Sequence, residues 1–197
     1  MKTLRVVEIF YSIQGEGANF GKPAIFIRLS YCNKNCWFCD TDWNTGVEMQ
    51  VDEILNYIRK FPAKMVIWTG GEPTLQLNDE ILSLFTAYYN CIETNGTNKV
   101  PSSIDYITCS PKVSPDILRR NFEFVNEFRY SIGSGETIPN ISELPKADNY
   151  FVSPLFFGEA KKRFEIEPTN VDYCLEFVKN NPEWRISLQM HKILNVL

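Results

Sequence analysis

The 197 residues carry a net charge of −4 and are 44% hydrophobic and 14% aromatic. This excludes a disordered chain and argues against a non-specific nucleic-acid binder, which needs a basic face. The length suits one domain over residues 1–197, with a core large enough to stand without disulfide staples.

No apolar run reaches membrane-spanning length. Met1-Lys2-Thr3-Leu4-Arg5 is followed by Glu8 and not by an apolar stretch, so no signal peptide and no membrane partner is expected. A cytoplasmic location follows, and there clustered cysteines are expected to serve metal or catalysis before disulfides. Ala24–Leu29 reads as a buried strand and Val51–Arg59 as a helix with Asp52 and Glu53 near its start. Lys64–Trp68 is a strand ending at Thr69-Gly70-Gly71. Asn78 or Asp79 caps a helix to about Ala87. Cys91–Glu93, Tyr106–Cys109, Phe124–Tyr130 and Tyr150–Val152 read as further strands, Val171–Lys179 as a helix and Arg185–Leu188 as a last strand. Alternating strands and helices predict an α/β fold with a mostly parallel sheet and outer helices. An eight-fold barrel takes about 250 residues, so a partial, open TIM-type barrel is expected. Its chemistry belongs at the C-terminal ends of the strands.

Tyr31-Cys32-Asn33-Lys34-Asn35-Cys36-Trp37-Phe38-Cys39-Asp40-Thr41 follows the first of these strands. The spacing C-x3-C-x2-C lets three thiolates converge from one loop, and thiolates suit zinc or an iron–sulfur cluster. A closed zinc site needs a fourth ligand. The lone histidine, His191, is far along the chain, and Cys91, Cys109 and Cys174 fall in apolar segments as candidate buried hydrophobes. A 4Fe–4S cluster on three cysteines leaves one iron open. Arg28 is a charge inside an apolar strand; it is expected to face a site and grip a carboxylate, the alternative being a structural ion pair. His191 follows Ile186, Leu188 and Met190 in alternation, which would place it on one face with Ser187 and Gln189.

The cysteine loop, with an aromatic before its last cysteine, and Thr69-Gly70-Gly71-Glu72-Pro73 resemble the two signature motifs of the radical S-adenosylmethionine superfamily. Ser12-Ile13-Gln14-Gly15-Glu16-Gly17, Pro23–Leu29, Cys39-Asp40-Thr41, Glu93-Thr94-Asn95-Gly96-Thr97, Ser110-Pro111-Lys112 and Trp184–Lys192 are similar to the 7-carboxy-7-deazaguanine synthase family within it. Tyr31 stands where that family often has glycine, and Ser153-Pro154 where Gln-Pro is expected. The resemblance implies conversion of 6-carboxy-5,6,7,8-tetrahydropterin to 7-carboxy-7-deazaguanine with loss of ammonia, toward queuosine and other 7-deazapurines. It also implies a homodimer, Mg2+ and a flavodoxin-like external electron donor. Cys32, Cys36 and Cys39 would hold the cluster and Thr41 the magnesium. Phe38, Cys39, Asp40, Gly71, Ser110, Pro111, Lys112, Ser153 and Pro154 would line the S-adenosylmethionine. Ile13, Gln14, Gly15, Arg28, Thr69 and His191 would meet the pterin. Two rivals remain at this level: an activase that makes a glycyl radical on a partner protein, and a non-enzymatic iron–sulfur or zinc module.

Overall fold

The structure is a computed structural model and describes residues 2–39, 41–155, 167–194 and 196. Among the described residues nine strands form one sheet: β1 (Thr3–Ile13), β2 (Pro23–Leu29), β3 (Val47–Gln50), β4 (Met65–Gly70), β5 (Tyr89–Thr94), β6 (Tyr106–Cys109), β7 (Phe124–Ile132), β8 (Lys146–Pro154) and β9 (Trp184–Ile186). Their order is β3-β1-β2-β4-β5-β6-β7-β8-β9. From β2 to β4 and on to β9 every pairing is parallel, whereas β1 runs antiparallel to both β2 and β3. The sheet ends on β3 and β9 without closing, which is the expected open α/β architecture.

Side chains alternate across a strand, so each strand serves two layers. Ile25, Ile27 and Leu29 of β2 face outward with Val66, Trp68 and Ile92, against α1 (Val51–Ile58) and the segment around Phe85. Ala24 and Phe26 face inward with Phe10, Ile67 and Cys91. Carried to the C-terminal ends, the inward row turns polar: Arg28 pairs in register with Thr69, Glu93 with Thr108, and Thr108 with Glu127. An apolar floor therefore lies under a polar mouth. A second outer cluster, around Leu118, Phe128, Val152, Cys174 and Trp184, covers the other half of the sheet.

The helix α1 begins as expected, with a reciprocal capping box between Gln50 and Glu53. The helix α2 (Asp79–Leu82) is capped by Asn78, whose Oδ1 accepts from the Ile81 N–H at 2.9 Å. It is shorter than expected, because a 3₁₀ turn at Ser83–Phe85 returns the chain to β5. The strands β1 and β3 and the helix α3 (Pro115–Asn121) are absent from the sequence reading. The helix α4 (Pro168–Asn180) starts earlier than Val171, with Pro168 in its first turn. A correction concerns His191. The β8–β9 ladder ends at Val152 and Ile186, and the chain then turns into α5 (Met190–Leu194), so the strand-like alternation does not reach His191. Among the described residues no helix is long and apolar enough to cross a membrane.

Candidate active site

The chain leaves β2 through Tyr31, whose φ of 68° lies in the left-handed region. A side chain there costs roughly 1–2 kcal/mol, which explains why glycine suits this position. Its backbone is tied on both sides: the N–H donates to the Trp43 carbonyl at 2.9 Å, and its carbonyl accepts from the Glu72 N–H at 2.8 Å. The Arg5 guanidinium lies 5.7 Å over the ring. Gly71 packs on the same carbonyl; a Cβ there would fall 1.9 Å from Tyr31 O. The glycine of this strand end is thus demanded first by the cysteine loop, before any ligand. Tyr31→Gly is expected to hold or raise stability, by up to about 1 kcal/mol. A thermal midpoint several degrees below that of the parent would show that the ring contributes more than the strain costs.

Cys32 and Cys36 are half-buried and Cys39 is exposed, and all three thiols line one cavity of about 230 Å3 at the C-terminal ends of the strands. The Lys34 N–H donates to Cys32 Sγ at 3.4 Å, and the Cys39 N–H to the Cys36 carbonyl at 3.1 Å. Burial pushes the Cys32 thiol up; the Lys34 N–H works against this, and Glu72, Cys36 and Cys39 add to it by like-charge repulsion. Three thiolates here therefore need a cationic centre. The other cysteines are packed away: burial pushes Cys91 and Cys174 up to about 12 and raises Cys109 as well. None of the three lines the cavity. Among the described residues no three Cys, His, Asp or Glu side chains close on a single metal ion. The donor set lacks the fourth ligand of a structural zinc site and fits a multi-iron cluster with one corner left to a non-protein ligand.

Around the thiols the cavity is lined by Phe38, Thr41, Thr69, Gly71, Ser110, Lys112, Ser153 and Pro154. The Ser110 and Lys112 N–H groups donate to Thr94 and Asn95 carbonyls at 2.8 and 2.9 Å, which fixes the turn after β6 against the end of β5. Lys112 Nζ stands 5.1 Å over the Phe38 ring, and burial lowers its pKa, with Cys36 acting in the other direction. Ser153 Oγ is buried with no hydrogen-bond partner among the described residues. A buried orphan hydroxyl on the cavity wall suits a polar ligand. Pro111 is buried outside the lining, and Asp40 lies outside the described residues.

On the wall of this cavity stands a charged network centred on Glu93 of β5. Its carboxylate accepts from Gln14 Nε2 at 3.1 Å, Thr69 Oγ1 at 2.9 Å and Arg129 Nη2 at 3.0 Å. Burial alone would raise its pKa; the Arg129 charge and the hydrogen bonds from Arg129, Thr69 and Gln14 outweigh it and hold it below the usual carboxylate range. Arg129 Nη1 lies 2.7 Å from Glu16, so one buried guanidinium joins two acids.

Of the residues expected to meet substrate, only Thr69 lines the cavity; Ile13, Gln14, Gly15, Arg28 and His191 stand outside its lining. Gln14 is engaged on both sides, its Oε1 accepting from the Glu16 N–H at 3.1 Å. Gly15 accepts from the Met190 N–H at 3.1 Å and packs against His191. Arg28 already has partners: its Nε lies 2.8 Å from Glu8, Nη1 donates to Thr41 Oγ1 at 3.1 Å, and the guanidinium covers Phe10. Cavity residues missed in the sequence include Arg129, Ser131 and Lys192, whereas Glu93 and Gln189, both within motifs already singled out, do line it. Arg129 carried a fainter signal than Arg28: it is a charge between Phe128 and Tyr130 in a strand that also holds Asn126, Glu127 and Ser131.

An open parallel sheet that hangs a three-thiol loop on its first parallel strand and packs a Gly-Gly strand end against that loop is the architecture of a radical S-adenosylmethionine enzyme. The family model of the Radical SAM superfamily matches residues 26–132, more than half of the chain. The chain is 39% identical to the 7-carboxy-7-deazaguanine synthase of Bacteroides thetaiotaomicron, with 98% of each chain covered. It is 38% identical to that of Haemophilus influenzae, over 97% of this chain and 93% of the relative. The crystal structure of QueE from Escherichia coli superposes with a TM-score of 0.68 at 24% identity, covering 96% of this chain and 95% of that one, and shows the same fold. The chain belongs to the 7-carboxy-7-deazaguanine synthase family, an enzyme family whose superfamily implies a 4Fe–4S cluster and S-adenosylmethionine.

Proposed function

We propose that the chain converts 6-carboxy-5,6,7,8-tetrahydropterin to 7-carboxy-7-deazaguanine with release of ammonia, supplying queuosine and other 7-deazapurines, as a homodimer fed by a flavodoxin-like electron donor. The observation that carries this reading is that one cavity wall joins two unlike groups: three thiols, and a half-buried carboxylate, Glu93, held by Gln14, Thr69 and Arg129. A pterin edge presents fixed donors and acceptors, which amide and carboxylate groups match.

When bound, the cluster supplies the electron that splits the sulfonium of S-adenosylmethionine into methionine and a 5′-deoxyadenosyl radical. Cys32, Cys36 and Cys39 hold it. Phe38, Cys39, Gly71, Ser110, Lys112, Ser153 and Pro154 wall the cosubstrate, with Lys112 offering a cation and Ser110 and Ser153 hydroxyls. Glu93 accepts from the ring N–H groups of the pterin once Gln14 yields its bond. Ile13 and Gly15 offer backbone groups to the same ring, and His191 backs Gly15. Thr69 orients Glu93 at 2.9 Å. Arg28 and Thr41 adjoin at 3.1 Å, which lets the substrate carboxylate meet the guanidinium while Thr41 gives an oxygen to Mg2+. Thr41 is one oxygen donor, so the ion depends on the carboxylate and on water for the rest of its shell.

The test is anaerobic turnover by the reconstituted protein with the pterin, S-adenosylmethionine, Mg2+ and a one-electron reductant. The expected result is an ultraviolet-absorbing deazapurine and one equivalent of ammonia. Cosubstrate cleavage that the pterin neither accelerates nor channels to product would overturn the reading.

A further inference from the structure

The β1–β2 turn, which carries Gln14 to Ala18, lies against a strand far from it in the sheet. Between β1 and β7 stand β2, β4, β5 and β6. Contact between the turn and β7 is therefore made across the inner face of the sheet and not along it. It is made by two alternate inward residues of β7. Glu127, only 2% exposed, accepts from the Ala18 N–H at 2.8 Å, and Arg129 holds the Glu16 carboxylate at 2.7 Å. The Glu127 carboxylate is itself braced, by Tyr106 Oη at 3.0 Å and Thr108 Oγ1 at 3.1 Å. From the C-terminal side, Ser187 Oγ accepts from the Gly17 N–H at 3.0 Å. Gly17 has a φ of 66°, and a Cβ on it would lie 2.2 Å from Glu127 Oε1. The backbone thus approaches the carboxylate as closely as only glycine allows.

Glu127 does not line the cavity. We infer that it is a positioning residue for the pterin: a carboxylate clamp that seats the Glu16–Ala18 backbone, and through it Gln14 and Gly15, as the wall of the substrate site opposite the thiols. Ser187 is the second jaw. This rests on the proposed pterin reaction for its kinetic readout and on the hydrogen-bond geometry alone for its structural one. A carboxylate that only filled the core would stabilise the fold without setting the turn. The clamp instead ties the turn's order to pterin affinity and leaves the cosubstrate side untouched: among the described residues no hydrogen bond joins Ser110, Lys112 or Ser153 to the turn.

The experiment compares Glu127→Ala, Glu127→Gln and Ser187→Ala with the parent protein. Hydrogen exchange is followed by mass spectrometry over residues 14–22, together with the KM for the pterin and the Kd for S-adenosylmethionine. Glu127→Ala is expected to speed exchange in that segment and raise the pterin KM about tenfold or more, the usual effect of losing a charge-assisted hydrogen bond. Glu127→Gln retains a carbonyl for the Ala18 N–H, and its amide meets hydroxyls that can turn to accept; slow exchange and a KM within about threefold of the parent are expected. The cosubstrate Kd should stay within about twofold throughout. Parent-like exchange in Glu127→Ala, or a KM and Kd that rise together, would overturn the clamp. If Glu127→Ala does not fold, Ser187→Ala decides: faster exchange at residues 14–22 supports the clamp and unchanged exchange overturns it. A parent protein that leaves the pterin unreacted defeats the reaction proposed above, and the clamp is then judged by exchange alone.

Discussion

Cys36→Ala is expected to abolish reductive cleavage of S-adenosylmethionine, pterin present or not, and Cys32→Ala and Cys39→Ala are expected to do the same. The three thiols supply every protein ligand the loop can offer. The remaining cysteines lie in packed apolar clusters, where burial keeps them protonated, and none lines the cavity. No substitute thiol is therefore within reach when one is lost. Iron content after anaerobic reconstitution should fall with activity. Cys174→Ala provides the contrast: it removes a fully buried sulfur from the cluster around Trp184 and is expected to cost about 1–3 kcal/mol of stability while iron and cleavage persist. Cleavage retained in all three loop variants would refute the cluster assignment.

Arg129→Met is expected to destabilise the fold by about 3–5 kcal/mol at pH 7, because it leaves Glu16 and Glu93 buried with no countercharge. The pH dependence should reverse as well. In the parent protein the Glu93 pKa is depressed, so the unfolded chain binds more protons than the folded one in the acid range. Its contribution is present in full above the unfolded-state pKa, about 4.3, and is lost as the pH falls through the lower folded value. Between pH 5 and pH 8 it should be flat. In Arg129→Met, burial acts on Glu93 without the guanidinium and raises its pKa. The folded state then binds more protons than the unfolded, and stability falls as the pH rises. Denaturant unfolding at intervals across that range measures both slopes. A variant that tracks the parent would show that Arg129 is not the countercharge.

What was legible in the sequence is local in the chain. Cys32, Cys36 and Cys39 converge because one short loop carries all three, and the strand end at Gly70-Gly71 announces itself in the same way. Val51–Ile58 keeps a single helical period and a capping box, and Ala24–Leu29 is an apolar run of strand length, so both were readable. The strand β1 was hidden because a register shift between Val6 and Glu8 breaks its alternation: Leu4 and Val6 face the outer layer, and beyond the shift Phe10 faces the inner one. The helix α3 buries only Leu118 and offers no periodic stripe.

Side-chain partnership was the part that only the tertiary structure decided. The charge on Arg28 could be seen in the sequence, but its partner could not. Glu8 stands opposite it only because the same shift sets the β1–β2 register. Glu16, Glu93 and Arg129 come from a turn and two strands of the sheet, and they meet because the sheet brings β7 to the turn across its inner face. A buried charge in a sequence says that a partner must exist, since leaving it unpaired is too costly. Which residue that partner is depends on strand order and register, and those are set by the packing of the whole sheet.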